Sequence, residues 1–237
     1  TQPVIPIIAE QYGLSLATAS LSLSFSTGTM AIGLILVSIF TQKFNRKIVM
    51  GVSLSLSAFL CLSIGIVDSM PMLLVMRAIQ GAALAGYPAV AMAYITEEFN
   101  LKSLGYVMGI YLSGNSLGGL SGRLIVGTLS DFISWTSAIA VLGAISCLIS
   151  VLFWRMLPNS TRSVTYLASG WLETKRAFKG SLAQKDLLLL FALGFVLMGT
   201  FVSLYNFIGI PLMEPPYHLS QIVVSLLFIV YLVGTFS

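Results

Sequence analysis

The chain has 237 residues, of which 57% are hydrophobic and only 8% are charged, and its net charge is +4. Soluble domains carry about 25% charged residues because a folded surface must be solvated. The composition therefore excludes an ordinary water-soluble fold and predicts an all-α, multi-pass helical bundle in a lipid bilayer. The small positive charge forms no basic stripe, so we expect no nucleic-acid partner.

Six apolar stretches come close to the roughly 20 residues that are needed to span a bilayer core about 30 Å thick. They cover approximately residues 17–40, 48–67, 70–95, 104–130, 135–156 and 187–213, and a seventh begins near residue 220. Residues 1–6 resemble the exit of a preceding helix. We therefore expect the chain to be a fragment of a larger membrane protein.

The basic residues are concentrated in alternate loops. Ten of the 12 Lys and Arg lie in or beside the first, third and fifth connections: Lys43, Arg46, Lys47, Lys102, Arg155, Arg162, Lys175, Arg176, Lys179 and Lys185. The other three connections contain none. Because basic loops remain on the cytoplasmic side, this alternation predicts a multi-pass protein of the inner membrane, of bacterial type.

The longest connection predicts a separate element between two bundles. Its apolar residues recur at helical spacing with basic residues off that stripe: Leu167, Trp171, Phe178 and Leu182. This pattern is typical of an amphipathic helix on a membrane surface. We predict an N-terminal six-helix bundle over 1–157 with a truncated first helix, a cytoplasmic linker over 158–186, and the start of a C-terminal bundle over 187–237. Trp135 and Trp154 are predicted to anchor opposite ends of one span.

A short pattern near the start of the chain recurs near its end. Residues Pro6, Tyr12, Leu14, Ser15, Ser20 and Leu21 recur at one constant offset as Pro211, Tyr217, Leu219, Ser220, Ser225 and Leu226. Chance similarity between apolar segments is one explanation. A structural repeat, common among membrane transporters, is the other.

Arg77 and Arg123 lie inside predicted spans, where a charged residue costs about 2.5–3.5 kcal/mol. A rise of 1.5 Å per residue places Arg77 about 10 Å and Arg123 about 12–15 Å from the outer helix ends. The side chains either snorkel to headgroups or tie helices together, or they line a transport path. For that path we predict Arg77, Gln80, Arg123 and Asp131.

Two groups of residues resemble motifs of the major facilitator superfamily. Arg77, Gln80 and Gly81 match the fourth-helix motif of its proton-coupled transporters. The spacing of Gly114, Gly118, Gly119 and Gly122 resembles the fifth-helix antiporter motif of its drug-efflux members. Asn115 stands where that motif has proline, and plain helix packing is the alternative. The resemblance implies that these five glycines form a helix-packing and gating seam.

The first basic loop occupies the position of the family's cytoplasmic signature. Lys43, Arg46 and Lys47 keep its positive charge, whereas Ser38, Gln42 and Asn45 replace its two glycines and its acid. The resemblance implies a cytoplasmic gate loop. Simple topology anchors are the alternative.

The segment from Pro88 to Tyr94, Glu97-Glu98, and Gly122-Arg123 followed by Gly127 and Asp131 resembles arabinose-efflux-like inner-membrane transport proteins. This resemblance implies a partial major facilitator fold, from the end of helix one to the start of helix eight in a twelve-helix design. It also implies secondary active, proton-coupled efflux of a small organic solute, such as a sugar derivative or a drug, by alternating access. The expected partners are that solute, protons, the bilayer and the remainder of the C-terminal bundle.

Two other classes of function place different demands on these residues. A non-transporting membrane sensor or scaffold would need Arg77 only for structure. A membrane enzyme would need a nucleophile, a base or metal ligands, but the sequence has one histidine, His218, and no carboxylate at the centre of a predicted span. Cys61 and Cys147 both lie in apolar stretches typical of helix cores. We therefore expect no catalytic residues, no metal and no cofactor.

Overall fold

The computed structural model describes residues 2–40, 44–158, 176, 179–181, 183–213, 215–219 and 223–224. The regular elements in these ranges are all helical, which confirms the all-α membrane bundle. The helices are α1 (Ile5–Tyr12), α2 (Leu16–Phe40), α3 (Arg46–Ser63), α4 (Met70–Leu84), α5 (Gly86–Glu98), α6 (Leu101–Leu129), α7 (Trp135–Met156), α8 (Lys185–Phe207) and α9 (Gly209–Met213). Short 3-10 turns cover Gln2–Val4 and Ile64–Ile66.

Local capping residues fix where the helices begin and end. Gly13 ends α1 with φ at 61°, a left-handed conformation that glycine adopts without strain. The side chains of Asn45, Asn100 and Ser134 accept backbone N–H bonds at the starts of α3, α6 and α7. Asn45, which departs from the family's loop signature, thus has a structural use as a helix cap.

Within the described residues, five helical segments are long and apolar enough to cross a bilayer: Leu16–Val37, Arg46–Ile66, Met70–Glu98, Trp135–Met156 and Lys185–Leu204. Helix α6 is also long enough, with 29 residues, but Gly, Ser and Asn make it less apolar. A helix that lines a cavity does not need an apolar surface all round.

The stretch predicted over 70–95 forms one spanning segment, Met70–Glu98, with a single irregular residue at Ala85. Helix α4 ends at Leu84 and α5 begins at Gly86, and Ala85 between them keeps helical dihedral angles (φ −55°, ψ −30°). Pro88 lies in the first turn of α5, where a proline is tolerated because that N–H has no partner within the helix. Both parts of the segment pack on α2 and on α3.

The outer ends of the helices share one apolar cluster. Its largest fully buried side chains include Ile5 and Ile8 of α1, Leu73 of α4 and Ile139 of α7. Trp135 belongs to this cluster, is only 3% exposed and donates its indole N–H to the side-chain oxygen of Gln11. The prediction that Trp135 anchors the span at the lipid interface was therefore wrong, because its ring faces the bundle.

Helices α3 and α7 also pack closely against each other. Gly143 of α7 lies directly against the backbone of Leu62. Towards the cytoplasmic end, Trp154 lies on Gly51 and donates a 3.0 Å hydrogen bond to Ser55 Oγ, which in turn is 2.8 Å from Ser150 Oγ. Small residues thus allow close approach, and hydroxyl groups cross-link the two helices.

Three predicted features lie outside the described residues. They are the amphipathic helix with Leu167, Trp171, Phe178 and Leu182, the apolar stretch from residue 220 onward except residues 223–224, and Lys43 in the first basic loop. These features stay predictions.

Candidate functional site

Arg77 lies inside the helix bundle with 8% of its surface exposed. Its Nη1 donates a 2.8 Å hydrogen bond to Gln80 Oε1, one turn along α4, and Gln80 Nε2 donates to the backbone oxygen of Ser57 on α3 at 3.2 Å. The Nε of Arg77 is buried and has no acceptor within the described part of the chain. The guanidinium is thus held at one nitrogen and retains capacity to donate to another group.

Close packing beneath Arg77 fixes the backbone that carries it. A side chain at Gly81 would collide with the backbone oxygen of Ser26 on α2 and with the hydroxyl of Thr29. Thr29 Oγ1 also lies 2.8 Å from the backbone oxygen of Ala78, close enough to donate to it. Gly81 therefore sets the distance between α2 and α4, and its role as a packing residue rests on a direct backbone contact.

The glycines of α6 lie in different surroundings. Within the described residues, a Cβ on Gly114 or Gly118 would meet no atom within 4 Å, and one on Gly122 would touch only Leu142. Gly119 has Arg123 beside it. The predicted seam along α6 faces no other helix backbone among the described residues and stays a prediction. The close approaches at Gly143 of α7 and at Gly86 of α5 were not predicted from the sequence.

Arg123 borders a cavity of about 370 Å³ in the outer half of the bundle. The lining comes from α2, α6, α7 and α8: Leu23, Thr27, Gly118, Gly119, Gly122, Arg123, Leu142 and Val202. At 1.5 Å per residue, these positions lie about 8–16 Å from the outer ends of their helices. Among the described lining residues, Arg123 is the charged one.

The Arg123 side chain lies back along α6 towards Gly119, the direction that helical side chains favour. Its Nη1 lies 3.1 Å from the position that a Cβ on Gly119 would occupy. Gly119 lies one turn before Arg123, about 15 Å from the helix end at Leu129. Snorkelling to headgroups and a place on the transport path both stay predictions for Arg123.

The four predicted path residues do not form one pocket. Arg77 and Gln80 pair with each other, whereas Arg123 lines the cavity and Arg77 does not. Asp131 is exposed just beyond the end of α6 and is not among the described residues of the cavity lining.

The depth of Arg123 is smaller than predicted. Since α6 ends at Leu129, the Cα of Arg123 lies about 9 Å from the helix end, compared with the 12–15 Å expected.

An ion pair at the side that is predicted to be cytoplasmic was missed by sequence reasoning. Arg46 Nη2 lies 2.8 Å from Glu97 Oε1, Arg46 Nε donates to Glu97 Oε2 at 3.3 Å, and both side chains are 12% exposed. The pair joins the start of α3 to the end of α5. The sequence feature that could have predicted this pair is an acidic residue, Glu97, at the end of a span on the same side as the basic loop with Arg46. Lys47 beside Arg46 donates its backbone N–H to Asn45.

Replacing Glu97 with glutamine is expected to destabilise the full-length protein by about 2 kcal/mol, because the largely enclosed Arg46 loses the charge of Glu97. Thermal unfolding in detergent measures this loss. Exposed Glu10 provides a matched charge-removing control, Glu10→Gln. The exchanged pair Arg46→Glu with Glu97→Arg should recover part of the stability. Equal melting temperatures for both Gln variants would contradict the assignment of a stabilising ion pair.

Comparison with known proteins assigns a family. The family model described as "Major Facilitator Superfamily" matches residues 1–237. The chain is similar over its whole length to "Inner membrane transport protein YnfM" of Escherichia coli (41% identity, 56% of that protein) and "Uncharacterized MFS-type transporter YybF" of Bacillus subtilis (39%, 58%). An "Uncharacterized transporter" of Buchnera aphidicola is 37% identical, with 57% of it covered. The chain thus spans little more than half the length of these relatives.

Proposed function

Because the chain belongs to the Major Facilitator Superfamily, we propose that the full-length protein is a secondary active transporter that exports a small organic solute in exchange for protons. Its family and its apolar helices make the chain part of a multi-pass inner-membrane protein. The proposed mechanism is alternating access, in which one bundle rocks against the other around a central site. The solute would be a sugar derivative or a drug.

The observation that carries the proposal is the buried Arg77 with its fixed geometry. Gln80 and Ser57 orient the guanidinium, and Gly81 holds α4 against α2. A charge within a bundle is costly, and such residues usually face a partner or a water-filled path. A fixed cation also favours the deprotonated form of a nearby carboxylate. We propose that Arg77 acts on a titrating carboxylate in the part of the full-length protein that this chain does not cover.

The cytoplasmic gate forms a second part of the proposal. The Arg46–Glu97 pair links α3 to α5 at the cytoplasmic end, and Lys43 and Lys47 belong to the same loop. We assign this loop to the gate that closes the cytoplasmic side. The division into a bundle over 1–157, a linker over 158–186 and a second bundle from 187 belongs to the same proposal. Membership of a transporter family does not favour the alternative of a sensor or scaffold.

A flux assay tests the proposal. Vesicles that contain the full-length protein are loaded with a panel of labelled sugars and dyes, and flux is followed with and without an imposed proton gradient. We expect at least one panel member to move against its gradient and to stop when a protonophore is added. Vesicles without the protein serve as the control. Absence of gradient-driven flux across the panel would contradict the proposal and favour a sensor.

A further inference from the structure

Arg77 carries a charge that no described residue neutralises. Within the part of the chain that the structure describes, it forms no ion pair with a carboxylate. Its Nη1 donates to the neutral amide of Gln80, and its buried Nε meets no acceptor among the same residues. A buried cation is costly unless an opposite charge compensates it. The guanidinium thus combines an available donor with an uncompensated charge.

The thiol of Cys61 lies beside Arg77 but does not neutralise it. Helices α3 and α4 are antiparallel, and the hydrogen bond from Gln80 to the backbone of Ser57 sets their register. Cys61 lies one turn after Ser57 and so is level with Arg77, with which it interacts electrostatically. However, its Sγ donates to the backbone oxygen of Ile139 on α7 at 3.6 Å. A thiol that donates keeps its proton and remains neutral.

Close packing around Arg77 limits the size of an anion that could bind there. One turn before it on α4, Leu73 is fully buried in the outer apolar cluster. One turn after it, Gly81 lies against the backbone oxygen of Ser26 on α2. Apolar surroundings strengthen the attraction between opposite charges. Close packing on both sides favours a single-atom anion over an organic carboxylate.

We infer that Arg77 binds a chloride ion, which accepts the N–H of Nε and neutralises the guanidinium between α3 and α4. The inference goes beyond the proposed function and does not depend on transport, because a buried cation needs a counter-charge in any class of membrane protein. Gln80 suits this arrangement because its amide orients the cation without neutralising it.

Thermal unfolding of the purified full-length protein in detergent tests the inference. Sodium chloride replaces sodium gluconate at constant ionic strength, because gluconate is a large organic anion. We expect the melting temperature to rise by about 3 °C or more and then to saturate, as for a ligand at ten times its Kd. Sodium bromide should act in the same way, since bromide is also a single-atom anion.

Two substitutions remove the need for an anion in different ways. Arg77→Gln removes the cation, and Gln80→Glu places a carboxylate where Gln80 Oε1 lies, 2.8 Å from Nη1. Both variants should raise the Kd of chloride at least about tenfold. Arg77→Lys, which keeps the charge, should lose less affinity. If Arg77→Gln fails to accumulate, Gln80→Glu decides the outcome.

Two controls separate the charge of Arg77 from other effects. Gln80→Met removes the amide without adding a charge and should keep the chloride-dependent rise in melting temperature. Arg155→Gln removes the same charge at the end of α7 and should keep it as well. An equal loss in Arg155→Gln would contradict the inference, because chloride would then act by screening surface charge.

Three further results would overturn the inference: a melting temperature that does not depend on chloride in the wild type, or an unchanged Kd in Arg77→Gln or in Gln80→Glu. The first result would mean that Nε meets water or a group in the part of the protein that this chain does not cover. The flux assay is independent of this test. A chloride effect without gradient-driven flux would support the anion site and contradict proton coupling, and gradient-driven flux without a chloride effect would do the reverse.

Discussion

Vesicles that carry Arg77→Gln are expected to lose gradient-driven flux at least about tenfold per inserted molecule, the equivalent of 1.4 kcal/mol. The substitution removes the fixed cation from the interior of the bundle, where Gln80 and Ser57 orient it. Its effect on stability should be small or favourable, because a buried charge and its desolvation cost are removed together. Flux should therefore fall without a matching fall in melting temperature.

This pair of measurements separates a transport role of Arg77 from a structural one. Arg155→Gln, which removes the same charge at the end of α7, is the matched control and should keep its flux. Should Arg77→Gln lower the melting temperature and the amount inserted while each inserted molecule transports normally, Arg77 would be a structural tie. The search for the coupling residue would then move to the part of the protein that this chain does not cover.

Gly143→Ala is expected to destabilise the bundle by about 3 kcal/mol, the upper part of the range for overpacked cores. Its Cβ would collide with backbone atoms of Leu62 and Cys61, and a helix backbone cannot rotate away as a side chain can. The two helices must separate, which also strains the Ser55–Ser150 contact nearer the cytoplasm. Thermal unfolding and the fraction of protein inserted in the membrane measure the effect.

Gly105→Ala on α6 is the matched substitution for Gly143→Ala. A Cβ at Gly105 meets no described atom within 4 Å, and alanine is the better helix former by about 1 kcal/mol. This variant should be neutral or slightly stabilised. Similar melting temperatures for the two variants would show that the contact between Gly143 and Leu62 does not limit helix packing.

The length of the apolar stretches and the helical periodicity predicted the features that depend on local sequence. Apolar runs of about 20 residues marked the spans, and the helical repeat placed Arg77 and Gln80 on one face, where they do form a hydrogen bond. The continuous span Met70–Glu98 was predicted in the same way. Its one irregular residue, Ala85, precedes Gly86 and Pro88, and hydropathy does not change there because small apolar residues continue through it.

Contacts between distant helices could not be predicted in the same way. The cavity takes Thr27, Arg123, Leu142 and Val202 from four different helices, and no spacing in the sequence reports that these residues meet. In the sequence, Glu97 is an ordinary polar residue at the end of a helix, and only the fold places Arg46 beside it. Trp135 has the position of an interfacial residue, and only the approach of α1 turns its indole group inward.

Contacts on two sides of α4 couple its position to both of its neighbours. Gly81 lies against the backbone of Ser26 on α2, and Gln80 donates to the backbone oxygen of Ser57 on α3. Glu97, at the far end of the same spanning segment, pairs with Arg46 of α3. A tilt of this segment would therefore act on α2, on the Arg77 guanidinium and on the Arg46–Glu97 pair together, so these contacts would change as one mechanical unit.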